Sequence, residues 1–496
     1  MPKDEYVDVL VVGAGLSGIG AAVHLQQLCP ERSFAILEGR ERLGGTWDLF
    51  RYPGVRSDSD MYTLGYRFKP WEQPKAIADG PSILKYIQDT AREHGLERHI
   101  HYGLQVKRAA WSTADAAWTV EAERSGSGET VRWRCNFLFM CSGYYRYDAG
   151  YLPQFEGIER FGGRVVHPQH WSEDIDVAGQ RVLIIGSGAT AVTLLPELAK
   201  TAAHVTMLQR SPTWVVARPS EDTLANRMRR WLPAKLAYGL TRWKRVLLGM
   251  YFYNLCQRKP EKVESLLLGG VRAYLGPDYD VERHFHPRYK PWDQRLCLVP
   301  DGDFFLAIRK KKASVVTDEI ASFTESGVAL KSGGTLDADL VVTATGLELK
   351  VLGGVQLSVD GKPVDLAQTV SYKAMMYSGV PNLAASMGYT NASWTLKCDL
   401  TCEYVCRLLK HMAQHGVRQC TPTLTDASMP LEAWSDFSSG YIQRAAHLFP
   451  KRGARAPWKL KQNYVHDLLT LRYGRVDDGA MVFTNPVPEP ALATAA

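Results

Sequence analysis

The segment VDVLVVGAGLSG, residues 7–18, restricts what this chain can fold into more than any other feature. Its apolar run is what a strand buried on both faces of a parallel sheet requires. The run leads directly into Gly13, Gly15 and Gly18 in G-x-G-x-x-G spacing, followed by the helical pattern IGAAVHLQQL. In such a turn Gly13 makes the tight bend and Gly15 lets the backbone approach a pyrophosphate, with Ser17 beside them. Gly18 allows close packing of helix on strand. A second strand, SFAILE, ends at Glu38, twenty residues beyond Gly18, where a carboxylate can accept hydrogen bonds from a ribose. Strand, glycines, helix and acid in register predict a dinucleotide site.

A second copy starts 173 residues after the first. The strand QRVLII runs into GSGATA, with Gly186, Gly188 and Ala191 in G-x-G-x-x-A form and Ser187, Ala189 and Thr190 between them. Its second strand ends in Gln209 and Arg210, where the first copy has an acid. An acid repels a ribose 2′-phosphate and an arginine attracts it, so this site is predicted to prefer NADPH. Two nucleotide sites on one chain suggest a flavoprotein with a nicotinamide donor, FAD at the first loop and NADPH at the second. The fold class is then α/β with two Rossmann-like domains. ADLVVTATG, residues 338–346, reads as the return of the chain from the second domain into the first. The expected boundaries are 1–147 and 340–484 for a discontinuous FAD domain, 148–339 for the NADPH domain, and a disordered tail at 485–496. Residues 391–415 predict a helix capped by Asn391 or Ser393, with Gly416 beyond its end.

The net charge of +7 is concentrated. Residues 225–275 hold eleven Lys and Arg against two Glu, with aromatic residues interleaved, and read as amphipathic helices inserted into the NADPH domain at about 221–290. Lining of an interdomain cleft is the first reading of this segment and a peripheral contact with a membrane surface the second. Nothing matches a helix-turn-helix, RNA-recognition or zinc-finger pattern, so nucleic acid is not expected as a partner. No stretch approaches about 18 uncharged apolar residues and the N-terminus carries acids, so neither a membrane span nor a signal peptide is expected. Nine cysteines without CxxC suggest reduced thiols in a cytoplasmic protein. Cys398, Cys402 and Cys406 share one helical face and read as core, with no metal expected.

Between the two domains lies FGGRVVHPQHW, with Phe161, Gly163, His167 and Trp171. This F-x-G-x-x-x-H-x-x-x-W order resembles the signature of Baeyer–Villiger monooxygenases, which continues with Pro or Asp where this chain has Ser172. GGTWDLFRYPGVRSD meets a second pattern of that family through Gly44, Gly45, Trp47, Tyr52, Pro53, Gly54 and Asp58. GYTNASWTLK and PWDQRLCLVP further resemble the branch of ethionamide and long-chain alkane-utilisation flavin monooxygenases, and the likeness runs to about residue 484.

The resemblance implies NADPH-driven reduction of FAD, formation of a C4a-peroxyflavin with O2, and insertion of one oxygen atom into a ketone to give an ester or lactone. It places the catalytic arginine at Arg295, with Asp58 orienting it, and gives His167 a role in coupling the half-reactions, as hinge organiser or as catalytic group. Thr46, Trp47 and Asp48 are implied to line the flavin, with Leu49 and Val106 among the cofactor contacts. Arg56, Ser57 and Asp58 are implied where nicotinamide meets isoalloxazine. The alternative is S- or N-oxidation of sulfides and thioamides, or hydroxylation of long-chain alkanes. A membrane-peripheral location at the inner face accompanies the second reading of residues 225–275.

Overall fold

The computed structural model describes residues 5–486. The first domain is built on a nine-stranded sheet. At its centre Glu5–Val12 runs parallel to Phe34–Leu37 on one side and to Thr130–Met140 on the other. Leu383–Ala385 adds to the end of Thr130–Met140, so the sheet is completed by residues far along the chain. The helix Leu16–Leu28 packs against Trp394–Gln414, and Trp394 Nε1 donates to Ser17 Oγ at 2.9 Å. Ser393 is the N-cap residue of that second helix, as expected, but its hydroxyl bonds to Thr63 Oγ1 at 2.7 Å and makes no capping bond. Cys398, Cys402 and Cys406 all face the core, and burial pushes the Cys398 thiol up to about 12.

The second domain holds a five-stranded parallel sheet in the order Ala313–Thr317, His204–Gln209, Arg181–Ile185, Leu340–Thr343, Arg164–Val166. Leu340–Thr343, expected as the return into the first domain, is therefore a buried strand of the second sheet, and the boundary near 340 moves accordingly. The return follows it. Leu347–Leu349 pairs antiparallel with the outgoing Tyr145–Gly150, so a two-stranded ribbon forms the crossing.

The helical insertion comprises Thr223–Trp231, Ala234–Arg258, Pro260–Leu275 and Val281–Phe285. It is closed at its base by parallel pairing of Val215–Arg218 with Cys297–Pro300, which sets Arg295 two residues before a strand. No described helix is long and apolar enough to cross a membrane. At the end of the chain Met481–Thr484 pairs with Gln419–Pro422. Asn485, expected in a disordered tail, instead accepts from Arg418 N at 2.8 Å and donates to Gly416 O at 2.9 Å. Residues 487–496 of that expected tail lie outside the described residues.

Candidate active site

Both glycine loops open helices whose first N–H groups are left free for an anion. Gly15 caps Leu16–Leu28 and Gly188 caps Ala189–Leu198, neither with a side-chain bond. A Cβ on Gly18 would lie 1.8 Å from the Gly13 carbonyl oxygen, so helix and strand touch there through glycine alone. A Cβ on Gly188 would meet nothing within 4 Å. Glu38 sits at the end of the first crossover, and its carboxylate accepts from the backbone N–H of Ala14 at 2.7 Å and of Arg40 at 2.9 Å. Burial pushes this carboxyl up, and the two N–H donors oppose the rise.

The two loops face one cavity of about 910 Å³. Gly13, Gly15, Ser17, Glu38, Thr46, Trp47, Arg56, Ser57, Asp58 and Val106 border it from the first domain. Gly186, Ser187, Gly188, Ala189, Thr190, Arg210 and Arg295 border it from the second. Gly18, Leu49 and Ala191 do not reach it; Gly18 and Ala191 are packing positions, both buried. Asp48 was expected at the flavin, but it is buried beneath Arg40 (2.7 Å), Arg42 (3.2 Å) and Arg51 (2.9 Å). Gln209 is also turned away: its amide donates to His284 O at 2.8 Å and Thr317 Oγ1 at 2.9 Å. Residues 225–275 contribute nothing to the cavity wall, which overturns the cleft-lining reading of that segment.

Arg295 and Asp58, 237 residues apart, meet side-on. Nε lies 2.6 Å from Asp58 Oδ2 and Nη2 donates to Oδ1 at 3.1 Å. Among the described residues Nη1 has no hydrogen-bond partner, and a third of the side chain is exposed. Burial works against the guanidinium charge, yet Asp58 and the hydroxyls of Tyr441, Tyr144 and Tyr145 hold its pKa above the ordinary arginine value. The arginine is a permanent cation with one edge tied and the other free.

His167 does not border the cavity and lies at the crossing between the domains. Gln169 N–H donates to Nδ1 at 3.2 Å, which leaves Nε2–H to donate to Gly346 O at 3.2 Å. The ring fills the place a Cβ of Gly150 would take, at 2.0 Å. One imidazole thus touches both strands' ends at the interdomain ribbon. Burial, first, and neighbouring His170 lower its pKa against the raising effect of the Gly346 carbonyl.

Sequence reasoning missed the partner of Arg56. Its guanidinium bonds Asp303 at 2.5 and 3.3 Å, joining the two domains at the cavity rim. It also missed an aromatic wall beside Arg295, in which Trp394 stacks on Tyr144 at 5.0 Å and Tyr389 and Tyr441 stand nearby. Tyr144 lies just past the strand Thr130–Met140, at the carboxyl edge of the sheet where such folds bind ligands, and that position was the available signal.

A flavin-binding monooxygenase-like family model matches residues 69–244, and an NAD(P)-binding Rossmann-like domain model matches residues 11–70. The FAD-containing monooxygenase EthA of Mycobacterium tuberculosis is 51% identical over 486 residues, which cover 98% of this chain and 99% of that protein. The chain belongs to the FAD-containing flavin monooxygenases. The probable FAD-binding monooxygenase AlmA of Acinetobacter baylyi is 47% identical, with 97% and 96% covered. A solved steroid monooxygenase bound to NADP shares the fold, with a TM-score of 0.78 at 19% identity over 97% of this chain and 100% of that one. This flavin monooxygenase is accordingly an FAD-containing enzyme.

Proposed function

We propose that this flavin monooxygenase is of the Baeyer–Villiger type, inserting one atom of O2 into a ketone to give an ester or lactone. The observation that carries the reading is the Arg295–Asp58 pair, set at a cavity bordered by both dinucleotide loops. The residues present fit the two cofactors. Gly15 and the N–H groups behind it take a pyrophosphate, Glu38 accepts from a ribose, and open space over Gly188 admits a second pyrophosphate. Arg210, exposed at the rim, attracts a 2′-phosphate. FAD, when bound, supplies the hydride acceptance and oxygen activation that side chains lack.

The chain supplies fixed charge, position and dryness. Asp58 holds the guanidinium in one orientation, so its free Nη1 edge is ready for negative charge that develops in the cavity without costly reorganisation. Tyr144 and Trp394 close one side with aromatic surface, lowering the local dielectric in which that charge acts. A second reading, S- or N-oxidation or hydroxylation of long-chain alkanes, draws support from the much higher identity to EthA and AlmA than to steroid monooxygenase.

The test is a product screen with NADPH and O2 over linear, cyclic and aryl ketones alongside sulfides and alkanes. Ester formation supports the first reading. Sulfoxide or alcohol with no ester from any ketone moves the assignment to the second, and NADPH consumption yielding only hydrogen peroxide sinks both.

A further inference from the structure

The helix Ala234–Arg258 is fixed to the first domain by one face. Tyr238 donates to Tyr66 O at 3.0 Å, and the buried Arg242 donates to Tyr62 O at 2.8 Å, Gly65 O at 2.7 Å and Asp399 Oδ2 at 3.1 Å. The opposite face carries Leu236, Leu240, Trp243, Leu247 and Tyr251, spaced so that all lie on one side. They are 50, 49, 43, 54 and 67% exposed. At 1.5 Å per residue this apolar stripe is roughly 22 Å long. Trp231 on the preceding helix is 82% exposed and Leu266 on the following one 63%. An amphipathic helix normally turns such a stripe to the core; this one is anchored by polar bonds and turns it outward.

Charge frames the stripe at both ends. Arg227, Arg230 and Lys235 stand exposed before it, and Arg258, Lys259 and Lys262 after it. Unlike Lys244 and Arg245, which pair with Asp222, these six make no ion pair among the described residues. A two-fold contact with a second copy through this face would set cation cluster against cation cluster, which like-charge repulsion disfavours.

We propose that this face lies on an anionic membrane surface, with the stripe from Leu236 to Tyr251 in the boundary between headgroups and acyl chains and the two cation clusters on acidic headgroups. The inference is independent of the reaction assigned to the cavity, because no residue of the stripe borders that cavity.

The experiment uses the FAD-loaded enzyme with vesicles of phosphatidylcholine alone or mixed with phosphatidylglycerol. The enzyme is expected to sediment with the mixed vesicles at low salt and not with the neutral ones, with tryptophan emission shifting to the blue. Raising salt from about 0.1 to about 1 M shortens the screening length from roughly 10 to roughly 3 Å and should release it. The Leu240→Asp, Leu247→Asp double variant should bind roughly tenfold more weakly or worse, since its charges enter the boundary layer. Lys235→Glu with Lys262→Glu should erase the preference for anionic lipid. Both variants should keep the parent's thermal midpoint and its NADPH oxidation rate in solution. Absence of sedimentation at low salt overturns the proposal, as does equal binding by the aspartate variant. A concentration-dependent dimer that the aspartate variant dissociates overturns it in favour of a second copy.

Discussion

The two glycine loops are close in sequence and different in setting. In the first, Glu38 is 6% exposed, Ala14 and Arg40 already bond its carboxylate, and the loop lies beneath the helix that starts at Trp394. In the second, Gly188 and Ala189 are exposed, nothing stands over Gly188 within 4 Å, and Arg210 is at the surface. A closed cradle suits a cofactor that stays through many turnovers, and an open one suits a co-substrate that must arrive and leave in each. The same motif thus serves retention or exchange according to what the rest of the chain packs over it.

The most severe way to break this comparison is Gly18→Ala, which copies into the first loop the alanine that Ala191 provides in the second. With the Gly13 carbonyl 1.8 Å from the new methyl, the strand–helix contact must open. Loss of more than about 4 kcal/mol and purification as colourless apoprotein are expected, read by flavin absorbance and denaturant unfolding. A yellow variant of normal stability would show that the first loop is no tighter than the second.

Next is Arg295→Ala, at the cavity both loops share. Removing one preorganised donor should slow oxygen transfer by about 10²–10³ while FAD stays bound and NADPH is still consumed, with hydrogen peroxide replacing product. Lysine should rescue poorly, because it cannot reproduce the side-on contact of Nε and Nη2 with Asp58. Stopped-flow absorbance with parallel product analysis checks this, and near-normal ester formation would remove Arg295 from the mechanism.

Arg210→Ala touches only the open loop. A charged phosphate contact worth about 1.5–3 kcal/mol corresponds to roughly 10- to 150-fold in affinity. That loss should appear with NADPH and not with NADH; equal losses in steady-state kinetics with both would show that Arg210 does not read the 2′-phosphate. The reverse exchange, Ala191→Gly, should cost only about 1 kcal/mol from helix propensity, visible as a small drop in thermal midpoint with flavin retained.

The mildest test is of the ribbon between the domains. Burial lowers the His167 pKa, so the folded state favours the neutral ring more than the unfolded chain does. Its contribution is full above the unfolded value of about 6.5 and is lost as pH falls through the lower folded value. Stability should therefore rise with pH across that window in the parent and more weakly in His167→Gln. Identical slopes in denaturant titrations would exclude a titrating hinge.

Much of this was legible in the chain because loops, strands and acids lie close together in sequence. Arg295 and Asp58 were readable only through long patterns, since nothing local says that residues so far apart will meet. Gln209 was misplaced for a reason the strand itself supplies: neighbours on a strand point to opposite faces, so Gln209 and Arg210 cannot both meet the ligand. Asp48 failed because its three arginine partners converge only in the fold. Leu340–Thr343 is buried throughout, and a run buried on both faces looks alike in either parallel sheet. The basic segment was recognised as helical, but its apolar stripe faces outward, and hydrophobic periodicity alone does not say which way a stripe points.

The late arrival of Leu383–Ala385 beside Thr130–Met140 has a consequence for biosynthesis. When the first half of the first domain leaves the ribosome, only the end of Thr130–Met140, from Leu138 to Met140, lacks its outer neighbour, and the helix that will cover the first loop does not yet exist. The whole second domain must be made in between, which at about 5–20 residues per second takes on the order of tens of seconds. During that interval the nascent half-domain exposes an unpaired strand edge, and the second domain, whose sheet is complete at Thr343, can finish folding before the first. The cradle around the first loop is thus completed only late in synthesis, and slow elongation after residue 343 would lengthen the period in which that edge stays open.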